Sequence, residues 1–376
     1  MIDATLSRSS TVDLSDEQRS FVESIRDFCE REKGIGFEDC TKKMADLGWW
    51  GVTIDEEFGG SGGSFYDAAL FLEESARGLA PPSGAYGVTL IVVGALRRFG
   101  TDEQKRDLLG RVADGGVLAI AMSEPDSGSD VASLKTSARL EDGEWVLDGS
   151  KMWCSYAHKA SHVLIVCRTT QEDDKHAGLS MIFVPTDAEG FSMRPIPTLG
   201  GEETNELHLD GVRVPEEALL GTEGNGWIQL MAGLNNERVI LGAQALGLAQ
   251  RSFDDALAYV KERKQFGRPV GTFQAQQHRF ADLATQLTQT RLLVRWVARL
   301  TDEDPDRMLP QEASMVKLSA TELAKRCALE GMQAMGGYGY ASEYPMEQHL
   351  RHAVVTTIFG GTSEIQKNII AKTLGL

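Results

Sequence analysis

The feature that most constrains this chain is that its apolar period changes twice. From about residue 13 to 115 apolar residues recur at helical spacing, as in Phe21, Ile25 and Phe28, and the stretches 68–77 and 101–111 repeat the pattern. Asp13 and Ser15 supply helix start signals. From about 117 to 220 the pattern becomes that of short strands, read at 136–140, 144–149, 161–168, 180–185, 191–196 and 206–214. Asp142-Gly143 between the first two is a two-residue hairpin turn. Helical spacing returns from Gly226 in four runs, 226–262, 273–300, 310–335 and 362–374, enough for an antiparallel bundle. The expected fold is α+β. An N-terminal helical domain covers 1–115, a central antiparallel β-barrel or sandwich 116–222, and a C-terminal four-helix bundle 223–376.

Bulk properties narrow the function. A chain of 376 residues fills two or three domain cores. A net charge of −17 argues against nucleic acid or an anionic membrane as the main partner. The five cysteines are scattered without a CxxC pair, which fits reduced thiols. The opening MIDATLSRSSTVDLS lacks the basic and apolar regions of a secretory signal, and the longest apolar run, Val88 to Leu96, is too short to span a bilayer. A cytoplasmic location is therefore expected. His349 and His352 are helical neighbours with no carboxylate or thiol at metal spacing, so they read as surface histidines, and no metal is expected. The glycines of 58–64 read as a flexible turn, and the absence of G-x-G-x-x-G argues against a Rossmann fold.

One carboxylate stands in unusual company. Wound as a helix, Leu230, Leu234, Leu241 and Leu248 share a stripe, and Glu237 falls in its middle. Desolvation there disfavours the charged form, which is the tuning a catalytic base needs. The alternative is a structural pair with Arg238.

Five motifs carry possible chemistry. In 121-AMSEPDSGSDV-131, Pro125 and small residues let backbone approach a ligand, and Ser123, Ser127 and Ser129 add hydroxyls; a surface turn is the other reading. In 149-GSKMWCSYA-157, Trp153 and Ser155 are two apart on a strand, so an indole plane and a hydroxyl could meet a flat heteroaromatic group; a core tryptophan is the alternative. The cations of 261-KERKQFGR-268 suit either a diphosphate, with Arg263 and Phe266 on the ligand, or the helix dipole. Glycines in 331-GMQAMGGYGY-340 permit close backbone approach, and Pro345 suits the first turn of the next helix. In 358-IFGGTSEIQ-366, Thr362 or Ser363 caps a helix, with Gln366 placed for a capping box, and the preceding glycines leave N–H groups for an oxygen ligand.

In this order the five motifs resemble the FAD-dependent acyl-CoA dehydrogenase family, from about Leu14 to Leu374. The resemblance implies the three-domain fold and a homotetramer built as a dimer of dimers. It also implies α,β-dehydrogenation of an acyl-CoA thioester, with electrons passed to an electron-transfer flavoprotein. It places Met122 and Ser123 at the flavin edge, Trp153 beside the ring, and Ser155 near N5. Arg263, Phe266, Gln333 and Gly337 would reach a neighbouring subunit's FAD. Thr362 and Glu364 would contact the FAD pyrophosphate region, and Ser129 the pantetheine arm of CoA. Many members carry the base just before the Gly-Thr of the last motif, where this chain has Gly360. Members similar to the isovaleryl- and long-chain enzymes carry it on the bundle helix before an arginine, which here is Glu237-Arg238. The Gly360 N–H would then hold the thioester oxygen. Departures are Tyr156 after the flavin strand, Arg351-His352 in place of an Arg-Asp pair, and a short segment near 31–43. Alternatives on the same scaffold are an oxidase, a desulfinase-like enzyme, or one subunit of a heteromeric dehydrogenase.

Overall fold

The computed structural model describes residues 14–376. The expectations for Asp13 and the opening residues lie outside it. The chain forms α1 (Asp16–Arg31), α2 (Phe37–Asp46), α3 (Phe65–Arg77) and α4 (Ser83–Phe99), then β1 (Val117–Ala121), β2 (Ser137–Glu141), β3 (Glu144–Ser155), β4 (Ala160–Arg168), β5 (Leu179–Pro185), β6 (Phe191–Pro195) and β7 (Thr204–Pro215). After these come α5 (Gly226–Glu262), α6 (Gln274–Glu303), α7 (Pro310–Met335), α8 (Met346–Thr356) and α9 (Ser363–Thr373). The fold is α+β, with helical N- and C-terminal regions and a curled sheet in the middle of the chain. The described residues group into two compact units: a helical unit with 14–36, 64–83 and 238–376, and a sheet unit with 37–63 and 84–237.

In the sheet unit the strand order is β1-β4-β2-β3-β7-β6, with β5 also on β4. The β2–β3 hairpin turns at Asp142 and Gly143, with φ of +53° and +83°, the left-handed pair that a two-residue turn requires. Most pairings are antiparallel, but β1 runs parallel to β4. The hairpin intervenes between these two strands, so the chain re-enters beside β1 by a crossover. Strands β4 and β5 are buried almost throughout, which is why both are continuous apolar runs rather than alternating ones.

The helical unit begins with two capping boxes, Ser15 with Gln18 on α1 and Ser64 with Asp67 on α3. Its bundle closes where α5 meets α7 at Gly242; a Cβ there would lie 2.4 Å from Val316. Buried and half-buried ion pairs link its helices. Glu73 accepts Arg291 at 2.7 Å, Glu74 accepts Arg26 at 2.5 Å, and Arg77 meets Asp254 at 2.8 Å. These contacts tie α1, α3, α5 and α6 together. His349 is not a surface histidine: it is buried, with Nε2 2.7 Å from Asp255, which also accepts Arg251 at 2.8 Å. Its partner lies 94 residues away, beyond any local spacing rule. All five cysteines are buried and free. Among the described residues no helix is long and apolar enough to cross a membrane, and no His/Cys/Asp/Glu cluster could hold a metal.

Candidate active site

In the sheet unit the loop leaving β1 is held by a buried ion pair. The Lys151 side chain, 0% exposed, donates to Glu124 at 2.8 Å and to the Met122 carbonyl at 3.1 Å. Glu124 also accepts the N–H groups of Lys135 at 2.6 Å and Thr136 at 2.8 Å. Burial alone would raise the pKa of Glu124, but the Lys151 ammonium and these hydrogen bonds bring it below the ordinary value. Burial pushes the Lys151 pKa down, partly offset by Glu124. Met152 N–H donates to Ser123 O at 2.8 Å, so Met122 and Ser123 are pinned alongside β3 with both side chains half-buried. Ser127 is buried and donates to Asp130 O at 2.7 Å, while Ser129 is exposed.

Strand β3 breaks its ladder with β7 between Lys151 and Cys154. There Trp153 takes φ +62° and is 56% exposed. A left-handed non-glycine residue costs about 1–2 kcal/mol, and such strain gathers at functional sites. The core-tryptophan alternative is ruled out. Ser155 is half-buried at the strand end. Tyr156, also left-handed at φ +58°, stacks on Phe37 with centroids 6.3 Å apart. Its hydroxyl crowds Gly84, where a Cβ would lie 2.3 Å away. Burial pushes the Tyr156 pKa up to about 12, so the phenol stays protonated.

Glu237 is 5% exposed in α5. On its stripe Leu230 and Leu241 are buried, whereas Leu234 and Leu248 are half-buried. Arg238, the next residue, is half-buried.

In the helical unit the chain leaves α5 into a small hairpin, Lys264–Gln265 against Arg268–Pro269. Phe266 sits at its tip with φ +54° and is 94% exposed, its ring centroid 6.1 Å from that of Phe273 in an edge-on contact. Arg263 lies 5.2 Å over the Tyr338 ring and has no carboxylate partner among the described residues. Gln333 and Gly337 are exposed where α7 ends, and Gly337 immediately precedes that tyrosine. Arg263, Gly337 and Tyr338 therefore share one corner.

Before α9, Gly360 and Gly361 are left-handed, at φ +59° and +79°. Thr362 is the N-cap, accepting Ile365 N–H at 3.3 Å, and Glu364 is exposed in the first turn. The expected capping box does not form. Gln366 lies one residue beyond the box position relative to Thr362, and its amide turns back to donate to Gly360 O and Gly361 O, each at 3.0 Å. Lys317 of α7, 0% exposed, donates to Gly361 O at 2.8 Å. Neither this lysine nor the Lys151–Glu124 pair emerged from the motifs as a working group. Lys317 occupies the buried stripe of Ala313, Val316, Ala320 and Ala324, a charged side chain among apolar ones like Glu237, and that is the signal by which the sequence marks it.

Known families match this arrangement across the described chain. The N-terminal, middle and C-terminal domain models of acyl-CoA dehydrogenases match residues 15–116, 119–212 and 224–375. The chain belongs to the acyl-CoA dehydrogenase family. It is 37% identical to an acryloyl-CoA reductase (NADH) of Anaerotignum propionicum, over 93% of this chain and 90% of the relative. It is 36% identical to a mitochondrial isovaleryl-CoA dehydrogenase of Solanum tuberosum, over 96% and 90%. A glutaryl-CoA dehydrogenase of Mycobacterium smegmatis in complex with FADH2 superposes with TM-score 0.87 at 28% identity, over 96% of this chain and 95% of that one. This family member is an FAD-dependent oxidoreductase acting on CH–CH bonds, and its residues suit the cofactor. The sheet unit offers the exposed Trp153 face and a fixed loop; the helical unit offers an aromatic tip, an arginine and N–H groups before a helix.

Proposed function

We propose that this acyl-CoA dehydrogenase removes hydrogens from the α and β carbons of an acyl-CoA thioester, leaving a trans-2-enoyl-CoA. The observation that carries the reading is Glu237, a carboxylate 5% exposed on a helix of a chain whose other known base position holds Gly360. Glu237 takes the α proton, with Arg238 beside it at the substrate. That proton is too weakly acidic for an unaided carboxylate, so a donor must stabilise the thioester oxygen as charge develops. The Gly360 N–H fills that role, and replacing a side chain with hydrogen at 360 leaves the donor intact. FAD, when bound, supplies at N5 the acceptor for the β hydrogen and relays two electrons to an electron-transfer flavoprotein.

The remaining roles follow the same reading. Met122 and Ser123 hold the flavin edge, Trp153 covers the ring and Ser155 bonds near N5. Arg263, Phe266, Gln333 and Gly337 serve the FAD of another copy, Thr362 and Glu364 the pyrophosphate, and Ser129 the pantetheine arm. An aromatic ring 94% exposed at a strained hairpin tip supports a partner copy, and we assign a homotetramer of three-domain chains (1–115, 116–222, 223–376) in the cytoplasm, working in β-oxidation. A heteromeric assembly would show instead as a purified chain of lower native mass that does not retain its yellow colour.

A panel of acyl-CoAs tests the reaction, read as anaerobic bleaching of the bound flavin with enoyl-CoA formed and, separately, as turnover with an artificial electron acceptor. Bleaching by none of them would sink it. A second reading is the reverse direction, reduction of a short enoyl-CoA. It is favoured by the 37% identity to the acryloyl-CoA reductase and is tested by NADH-driven reduction of acryloyl-CoA with an electron-transfer flavoprotein present.

A further inference from the structure

The turn before α9 is clamped on one side. Its two successive carbonyls, of Gly360 and Gly361, receive three hydrogen bonds from two fully buried side chains, Lys317 and Gln366. Each peptide is planar and trans, so fixing a carbonyl fixes the next residue's N–H in the opposite direction. The clamp therefore sets the N–H groups of Gly361 and Thr362. Among the described residues neither N–H meets an acceptor. The Gln366 amide lies close against the turn, since a Cβ at Gly361 would be 2.7 Å from its Nε2. Such a row at the start of an 11-residue helix suits a phosphate oxygen. We propose that Lys317 and Gln366 are positioning residues that hold the Gly361 and Thr362 N–H groups for the diphosphate of FAD.

The inference rests on the assignment of Thr362 to the pyrophosphate, and it adds the apparatus that aims those donors. Lys317 supplies charge-assisted bonding without touching the ligand. Gln366 fixes both peptides at once, so a methionine of similar length removes the bonds and keeps the volume.

The test uses purified holoenzyme, comparing wild type with Lys317→Met and Gln366→Met. Phosphorus NMR of bound FAD, its dissociation rate and the flavin absorption band are measured together. The expected result is a shifted resonance for at least one phosphate and release about tenfold faster, the size of one good charge-assisted hydrogen bond. The ring's absorption band, set by the loop and strand of the sheet unit, stays in place. Should Lys317→Met fail to fold, Gln366→Met carries the same prediction alone. Phosphate resonances unchanged in a folded variant overturn the clamp, as does a ring band that moves as much as the phosphates. Failure of the underlying assignment looks different: the wild type's bound resonances would then match those of free FAD.

Discussion

Among the described residues two lysines are wholly buried, one in each unit, and they meet different partners. Lys151 in the sheet unit faces the Glu124 carboxylate, whereas Lys317 in the helical unit donates to the Gly361 carbonyl. A buried carboxylate left without its cation carries a full desolvation penalty, while the Gly361 carbonyl, left without Lys317, keeps its bond from Gln366. The first lysine should thus matter most to folding, and the second to the placement of a few N–H groups.

The strongest test bears on the reacting centre against which both lysines are judged. Glu237→Gln should retain FAD and its unfolding temperature yet lower kcat by about a thousandfold, within the range of a lost general base. An unchanged rate with the best substrate would remove Glu237 from the mechanism. Next in size is Lys151→Met, expected to cost about 3–5 kcal/mol in urea unfolding because Glu124 is stranded. The double variant with Glu124→Gln should recover part of that loss; simple additivity would mean that the pair is not coupled. Lys317→Met should cost only about 1–2 kcal/mol by the same measurement. A loss as large as that of Lys151→Met would erase the difference between the two lysines.

The smallest effect is an acid-side one in the helical unit. Burial alone would raise the pKa of Asp255, but His349 and Arg251 hold it below the ordinary value. A carboxylate lowered on folding stabilises above its unfolded pKa, about 3.9, and that contribution fades as pH falls through the folded value. The wild type should therefore lose stability below about pH 4 more steeply than Asp255→Asn, seen as urea midpoints between pH 3 and 6. Parallel curves would show that the cluster is not linked to folding.

The sequence was most legible where periodicity alone decides structure. Six strands were located within two residues of their ends except at β3, whose apolar alternation stops at 149 although the strand runs on to Ser155. The missing part is the irregular, functional part, because left-handed backbone at Trp153 leaves no periodic trace. The parallel pairing of β1 with β4 was also hidden, since alternation reports burial and not direction. Helix starts at Ser15 and Thr362 were readable or nearly so from capping chemistry, whereas the one at Ser64 lay at the end of the glycine-rich turn read at 58–64. Long-range partners were not: Glu73 meets Arg291 218 residues away, and His349 reaches back to Asp255. At the site, the aromatic and acidic candidates stood out by residue type. The residues that pin the loop after β1 and the turn before α9, Glu124, Lys151 and Gln366 among them, show that role only once the fold brings their partners together.

The sequestered thiols have a practical consequence. Burial pushes Cys154, Cys167 and Cys327 up to about 12, so almost none of their sulfur is nucleophilic at neutral pH. Alkylating reagents should reach these sulfurs only when a unit opens. Because Cys154 and Cys167 belong to one unit and Cys327 to the other, mass-resolved labelling would time the two openings separately in a single sample.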